Sequence, residues 1–91
     1  MARGTLQVAW INKGEGGEEH YHVMFGKDGE NKTARARSLK GRHELAHLLK
    51  NELKLNDGQA NGALNELDGS GQASVSGLDV SDDLLKSLDL A

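Results

Sequence analysis

The sequence predicts an α+β fold: a three-stranded antiparallel meander followed by two or three helices packed on one face. Three observations carry this. The first forty residues alternate apolar and polar side chains, the period of half-buried strands. The second half changes to leucine and alanine at helical spacing. Twelve glycines and no proline place tight turns, not stiff loops, between the elements.

The strands come first. In TLQVAWI, Leu6, Val8 and Trp10 alternate with Gln7 and Ala9. A glycine-rich polar loop, NKGEGGEE, separates it from EHYHVMFG, where Tyr21, Val23 and Phe25 share one face and His20, His22 and Met24 the other. The aromatic face is the one expected to be buried, with Val8 and Trp10 beside it, because histidine and arginine are costly to bury. Asp28-Gly29 is a hairpin signal. The third strand is expected in KTARARS, residues 32–38, with Ala34 and Ala36 on one face.

The helices follow. Ser38 is placed to cap a first helix that runs to about Leu53, with Gly41 weakening its first turns. Asp57 is placed to cap a second helix carrying Ala60, Ala63, Leu64 and Leu67 on one stripe, ended by GSG at 69–71. QASVSGLDV reads as a short extended segment. Ser81 caps a last short helix whose first turn holds Asp82 and Asp83, where the helix dipole favours carboxylates.

Ninety-one residues, 1–91, read as one small domain. A chain of this size buries about two-thirds of its unfolded surface. With no cysteine there is no disulfide and no thiolate metal site, which favours a reducing, cytoplasmic setting. The N-terminal stretch lacks the apolar run of a signal peptide, and no window approaches the length of a membrane span. A net charge of −3 gives no pull toward a polyanion.

One stretch carries a chemical signature. GRHELAHLLKNEL, residues 41–53, spells His-Glu-x-x-His at His43, Glu44 and His47. Two imidazoles four apart share a helix face and can grip one ion, while the glutamate can take a proton from metal-bound water. Eighteen residues separate His47 from Glu66, which lies in GALNE. Over residues 43–66 the chain resembles the gluzincin metallopeptidases, the thermolysin-like class. That resemblance implies zinc held by His43, His47 and Glu66, with Glu44 as the general base. The pattern departs at Ser70, where the class has an aspartate that orients a ligand histidine, and no histidine or tyrosine follows His47.

Helical geometry gives a different expectation. At about 100° per residue, Leu45, Ala46, Leu48, Leu49 and Leu53 form one stripe. His43 and His47 then fall on the opposite face with Lys50 and Lys54, and Glu66 lies off the apolar stripe of its own helix. If the helices pack stripe to stripe, the three do not converge. The residues themselves therefore favour solvated histidines and no cofactor, with zinc as the alternative.

Three weaker patterns are present. DGSGQASVSGLD, residues 68–79, has Asp68, Ser70, Gln72 and Ser74 at EF-hand ligand positions. Ala73 stands where that loop needs glycine and Asp79 where it needs glutamate, so a turn is favoured. His20 and His22 could chelate a metal but have no evident third ligand. Lys32, Arg35, Arg37, Lys40 and Arg42 are a basic segment able to touch phosphates, but no aromatic shares their face, and a charged edge strand is favoured. The C-terminal half has the look of small bacterial proteins of uncharacterised role. The sequence thus points to a small non-catalytic domain that binds an unknown protein through an exposed helix or sheet edge. A zinc-peptidase-like site is the first alternative, and a nucleic-acid module on residues 32–42 the second.

Overall fold

The computed structural model describes residues 2–13, 19–29 and 36–90. Strands β1 (Ala2–Lys13), β2 (Glu19–Lys27) and β3 (Arg37–Lys40) lead into helix α1 (Gly41–His47) and a π-helical turn (Leu48–Glu52). Helix α2 (Asp57–Ser70), strand β4 (Gln72–Val80) and helix α3 (Asp82–Ser87) complete the order. The fold is α+β, and the sheet has four strands in the order β3-β2-β1-β4, each antiparallel to its neighbour.

The fourth strand corrects the expected meander of three. QASVSGLDV is a nine-residue strand that pairs along the open edge of β1. Its pattern is broken by a bulge: Leu6 opposes Val75, but Gly4 opposes Leu78, so Ser76 and Gly77 together face Thr5. Gly77 takes a φ of +69°, a conformation that glycine adopts at no steric cost. The third strand is also displaced. It runs over Arg37–Lys40 and buries Leu39, where 32–38 was expected; residues 32–35 of that segment, Ala34 included, lie outside the described residues.

Ser38 therefore sits in a strand and caps nothing. Gly41, with φ +78°, turns the chain from β3 directly into α1. The Lys40 N–H is satisfied instead by Glu44, whose Oε2 accepts from it at 3.0 Å. The end of this helical stretch is unusual. Leu53 N donates to Leu48 O at 2.8 Å, five residues back, which widens the turn. The second cap lies one residue earlier than expected. Asn56 and Gln59 form a reciprocal capping box, Gln59 N donating to Asn56 Oδ1 at 2.7 Å and Asn56 N to Gln59 Oε1 at 3.2 Å. Gly71 ends α2 with its N–H on Leu67 O at 2.8 Å, and Ser81 caps α3 as expected, its Oγ accepting from Leu84 N at 3.1 Å.

Alternation decides the core. Leu6, Val8, Tyr21, Val23, Phe25 and Leu39 are buried on one sheet face. Leu45, Leu48 and Leu49, then Ala60, Ala63 and Leu67, then Leu85, Leu88 and Leu90 join them in one hydrophobic cluster. The opposite face is exposed or half-buried at Gln7, Ala9, His22, Met24 and Ser74. Trp10 departs from expectation: it opposes Tyr21 but remains 42% exposed. The register shifts just beyond it at Ile11, and its N–H bonds the Gly71 carbonyl at 2.8 Å, where α2 has already stopped. No helix among the described residues is long and apolar enough to cross a membrane.

Two outcomes are expected. Leu49, fully buried, should cost about 2–5 kcal/mol when truncated to alanine, read from urea unfolding. Trp10 is the single tryptophan, so native fluorescence should be readily quenched by iodide; a shielded, blue-shifted emission would contradict its placement.

Candidate functional site

The HELAH segment lies on the solvent side of α1, as its stripe requires. Leu45, Leu48 and Leu49 are buried, and His43, Glu44 and His47 are exposed. With Arg37, Leu39, Lys50, Asn51 and Glu52, these three line an open cavity of about 570 Å³. Within it, Asn51 Nδ2 lies 3.1 Å from His47 Nδ1, a contact in which the amide donates and the ring nitrogen accepts. That assignment puts the ring proton on Nε2, which faces Glu52 Oε1 at 3.7 Å. Glu44, the base of the peptidase pattern, has its carboxylate on the Lys40 N–H and serves the start of the helix.

Glu66 lies elsewhere. It lines a second cavity, about 410 Å³, with Gln7, Ala9, Met24, Ser70, Gln72 and Ser74, and its Oε1 accepts from Ser74 N at 3.4 Å. The structure thus brings His43 and His47 to one cavity and sets Glu66 on another. Among the described residues, no group of three or more His, Asp, Glu or Cys is placed to hold a metal ion.

The basic segment is partly spent inside the fold. Arg37 is half-buried; its Nη1 donates to the Leu88 carbonyl at 3.0 Å and lies 3.6 Å from Glu52 Oε2. Arg42 makes a two-pronged bond to Asp68, at 2.5 and 2.9 Å. Lys40 is exposed, and Lys32 and Arg35 lie outside the described residues. His20 and His22 are half-buried on the outer sheet face. Of the EF-hand-like positions, Asp68 and Ser70 end α2, and Gln72 and Ser74 belong to β4, so no loop winds around a common centre.

Two features went unseen in the sequence. One is Glu52, whose Oε2 is buried without a hydrogen bond among the described residues and lies beside the Arg37 charge. The π-helical turn places it there, and no residue pattern announces that turn. The other is a polar cluster at the end of the sheet. The buried Tyr21 hydroxyl donates to Glu19, and the Arg42–Asp68 pair lies alongside. Burial, then the Glu19 contact, raises the Tyr21 hydroxyl above its ordinary value, so it stays a protonated donor at neutral pH. Trp10, Glu19, Tyr21, Asp68 and Ser70 line a third cavity there, of about 420 Å³. What the cluster and the HELAH cavity offer is hydrogen bonding and charge.

Comparison of the chain with family models, curated proteins and solved structures gives no match.

Acid titration tests the ion pairs. The Arg42 guanidinium holds the Asp68 carboxyl below its ordinary value of 3.8, and Lys27, 3.0 Å away, does the same for Asp82. A carboxyl with a lowered folded-state value adds stability above its unfolded value and loses it as pH falls through the folded one. The melting temperature should therefore fall as pH drops below 3.8, and Asp68→Asn should flatten that fall without changing its direction. A rise in stability on acidification would contradict the pairing.

Proposed function

We propose that this protein is a small non-catalytic interaction domain that binds another protein through the side of the sheet its helices leave bare. One observation carries this. The helical leucines share the core with one sheet face, and the middle of the other face carries Thr5, Gln7, Ala9, Met24, Gln72 and Ser74, all uncharged, with His22 among them. Charge collects at its margins, in Lys40 and the Arg3–Asp79 pair at 3.9 Å. Depletion of charge at the centre with a charged rim is the compositional mark of a protein-binding surface. Gln7, Ala9 and Met24 also line the 410 Å³ cavity, an open seat on that face that Glu66 borders with its carboxylate.

The same geometry favours this reading over its alternatives. Glu44 is engaged in capping and Glu66 lines a different cavity from the histidines, which favours protein binding over the zinc-peptidase arrangement. Arg37 and Arg42 turn to Glu52, Leu88 and Asp68, which weakens the basic segment as a phosphate-binding surface. The absence of cysteine favours a cytoplasmic setting, and the look of the C-terminal half a bacterial one.

Affinity capture from the source cell's extract tests it. Lysines at Gln7 and Ala9 should abolish capture of a partner held by the unmodified protein. Lysine at Asn61, exposed on α2, should leave capture intact. Capture indifferent to the Gln7 and Ala9 changes would move the binding surface elsewhere. Zinc titration is the second test: any zinc held through His43 and His47 should be weak and unaffected by Glu66→Ala. One tightly bound equivalent lost on Glu66→Ala would establish the peptidase-like site instead.

A further inference from the structure

β4 is the longer of the two sheet edges, and it is blunted differently from the other. β3 is four residues long and carries Arg37 and Lys40 at its ends, the usual protection against strand pairing. β4 has nine residues and a single charge, Asp79, beyond the bulge at Gly77. Its straight part, Gln72–Val75, is uncharged. The outward main-chain groups there are met by side chains from the end of α2: Ser70 Oγ donates to the Gln72 carbonyl at 3.0 Å, and Glu66 accepts from Ser74 N at 3.4 Å. Both contacts are solvent-exposed, and the second is near the limit of a hydrogen bond. They hold the place of a strand weakly.

The surrounding charge selects an occupant. Residues 55–91 contribute seven carboxylates against Lys86 alone, while residues 1–54 are net positive. Two copies joined edge to edge along β4 would bring two acidic halves and two Glu66 carboxylates together, which opposes pairing. An extended segment bearing lysine or arginine meets the opposite situation. Its own carbonyl replaces Glu66 as acceptor from the Ser74 N–H, its amide replaces Ser70 as donor to the Gln72 carbonyl, and the released Glu66 carboxylate pairs with its cation.

Resting on the protein-binding reading, we propose that the β4 edge at Gln72–Val75 takes an extended, basic segment of the partner as a fifth strand, with Glu66 as the charge that selects it. The test uses the full chain and two labelled probes in fluorescence anisotropy: a short peptide of alternating lysine and threonine, and its glutamate counterpart. The lysine peptide should bind, with affinity that falls as salt rises, and the glutamate peptide should not. Ser74→Pro removes an outward N–H that β1 does not use and should weaken binding roughly tenfold or more. Glu66→Gln, which keeps the size and removes the charge, should weaken the lysine peptide and flatten its salt dependence. Circular dichroism checks that both variants fold. If Ser74→Pro does not fold, the Glu66→Gln result decides.

Absence of binding, equal binding of both peptides, or binding unchanged in both variants would overturn the proposal. So would sedimentation showing that β4 joins two copies of this chain. A partner lost with the Gln7 and Ala9 lysines but kept by Ser74→Pro and Glu66→Gln would refute the edge and leave the bare-face reading standing.

Discussion

The fold depends on one constraint: a four-stranded sheet with a dry face and a wet one. Along β2 the side chains alternate, so Tyr21, Val23 and Phe25 are buried while His22 and Met24 are not. A shift of one residue in register would put histidine into the core and phenylalanine into water. That cost fixes how β1 and β3 align on β2. It also fixes where the helices pack, because leucine supplies most of the large core side chains and only one sheet face offers apolar partners. α1 lies against β2 and β3, and α2 against β4, which lets a chain with few aromatics close a core.

The dry face is fastened at its margins by charges rather than by cross-links. Arg37 joins three distant parts of the chain: it sits in β3, donates to the Leu88 carbonyl beyond α3, and faces Glu52 at the end of the π-helical turn. Removing one member of such a half-buried pair carries the penalty of leaving the other charge partly desolvated. Glu52 is the more exposed to that penalty, since its Oε2 has no hydrogen bond among the described residues to fall back on. Arg42 plays the corresponding part at the opposite end, bridging α1 to Asp68 on α2 beside the Tyr21 hydroxyl. Two residues of the basic run, Arg37 and Arg42, are therefore joints of the fold.

Much of this was legible in the residues. Strict alternation made the buried face of β2 readable, and the leucine stripe made Leu45, Leu48, Leu49 and Leu53 readable as core. What escaped was decided by backbone detail. β4 was legible as an extended segment but not as a strand of the sheet, because a bulge at Ser76–Gly77 breaks its alternation and Ala73 is its first buried side chain. Ser38 was a plausible cap, but Gly41 supplied a sharper turn at a position read only as a weakness. Asn56 and Asp57 are equally good caps, and the Gln59 partner decided between them. Trp10 lies on the correct face but past the end of α2, a fact of element length that its alternation cannot express. The HELAH motif was legible as spacing; its surroundings were not. Glu44 bonding to Lys40 and Glu66 bonding to β4 both depend on where the helices end, which five matching residues do not encode.

One sheet face holds the fold, and the helices leave the other bare. Adjacent residues of β2 test this most directly. Val23, fully buried, and Met24, half-buried on the bare side, should respond oppositely to lysine when thermal unfolding is followed by circular dichroism. Met24→Lys should melt close to the unmodified protein, because its ammonium reaches water. Val23→Lys should lose the cooperative transition, because its charge has no partner in the core. Equal loss in the two variants would mean that both faces are packed, and the division of labour assigned to the sheet would be wrong.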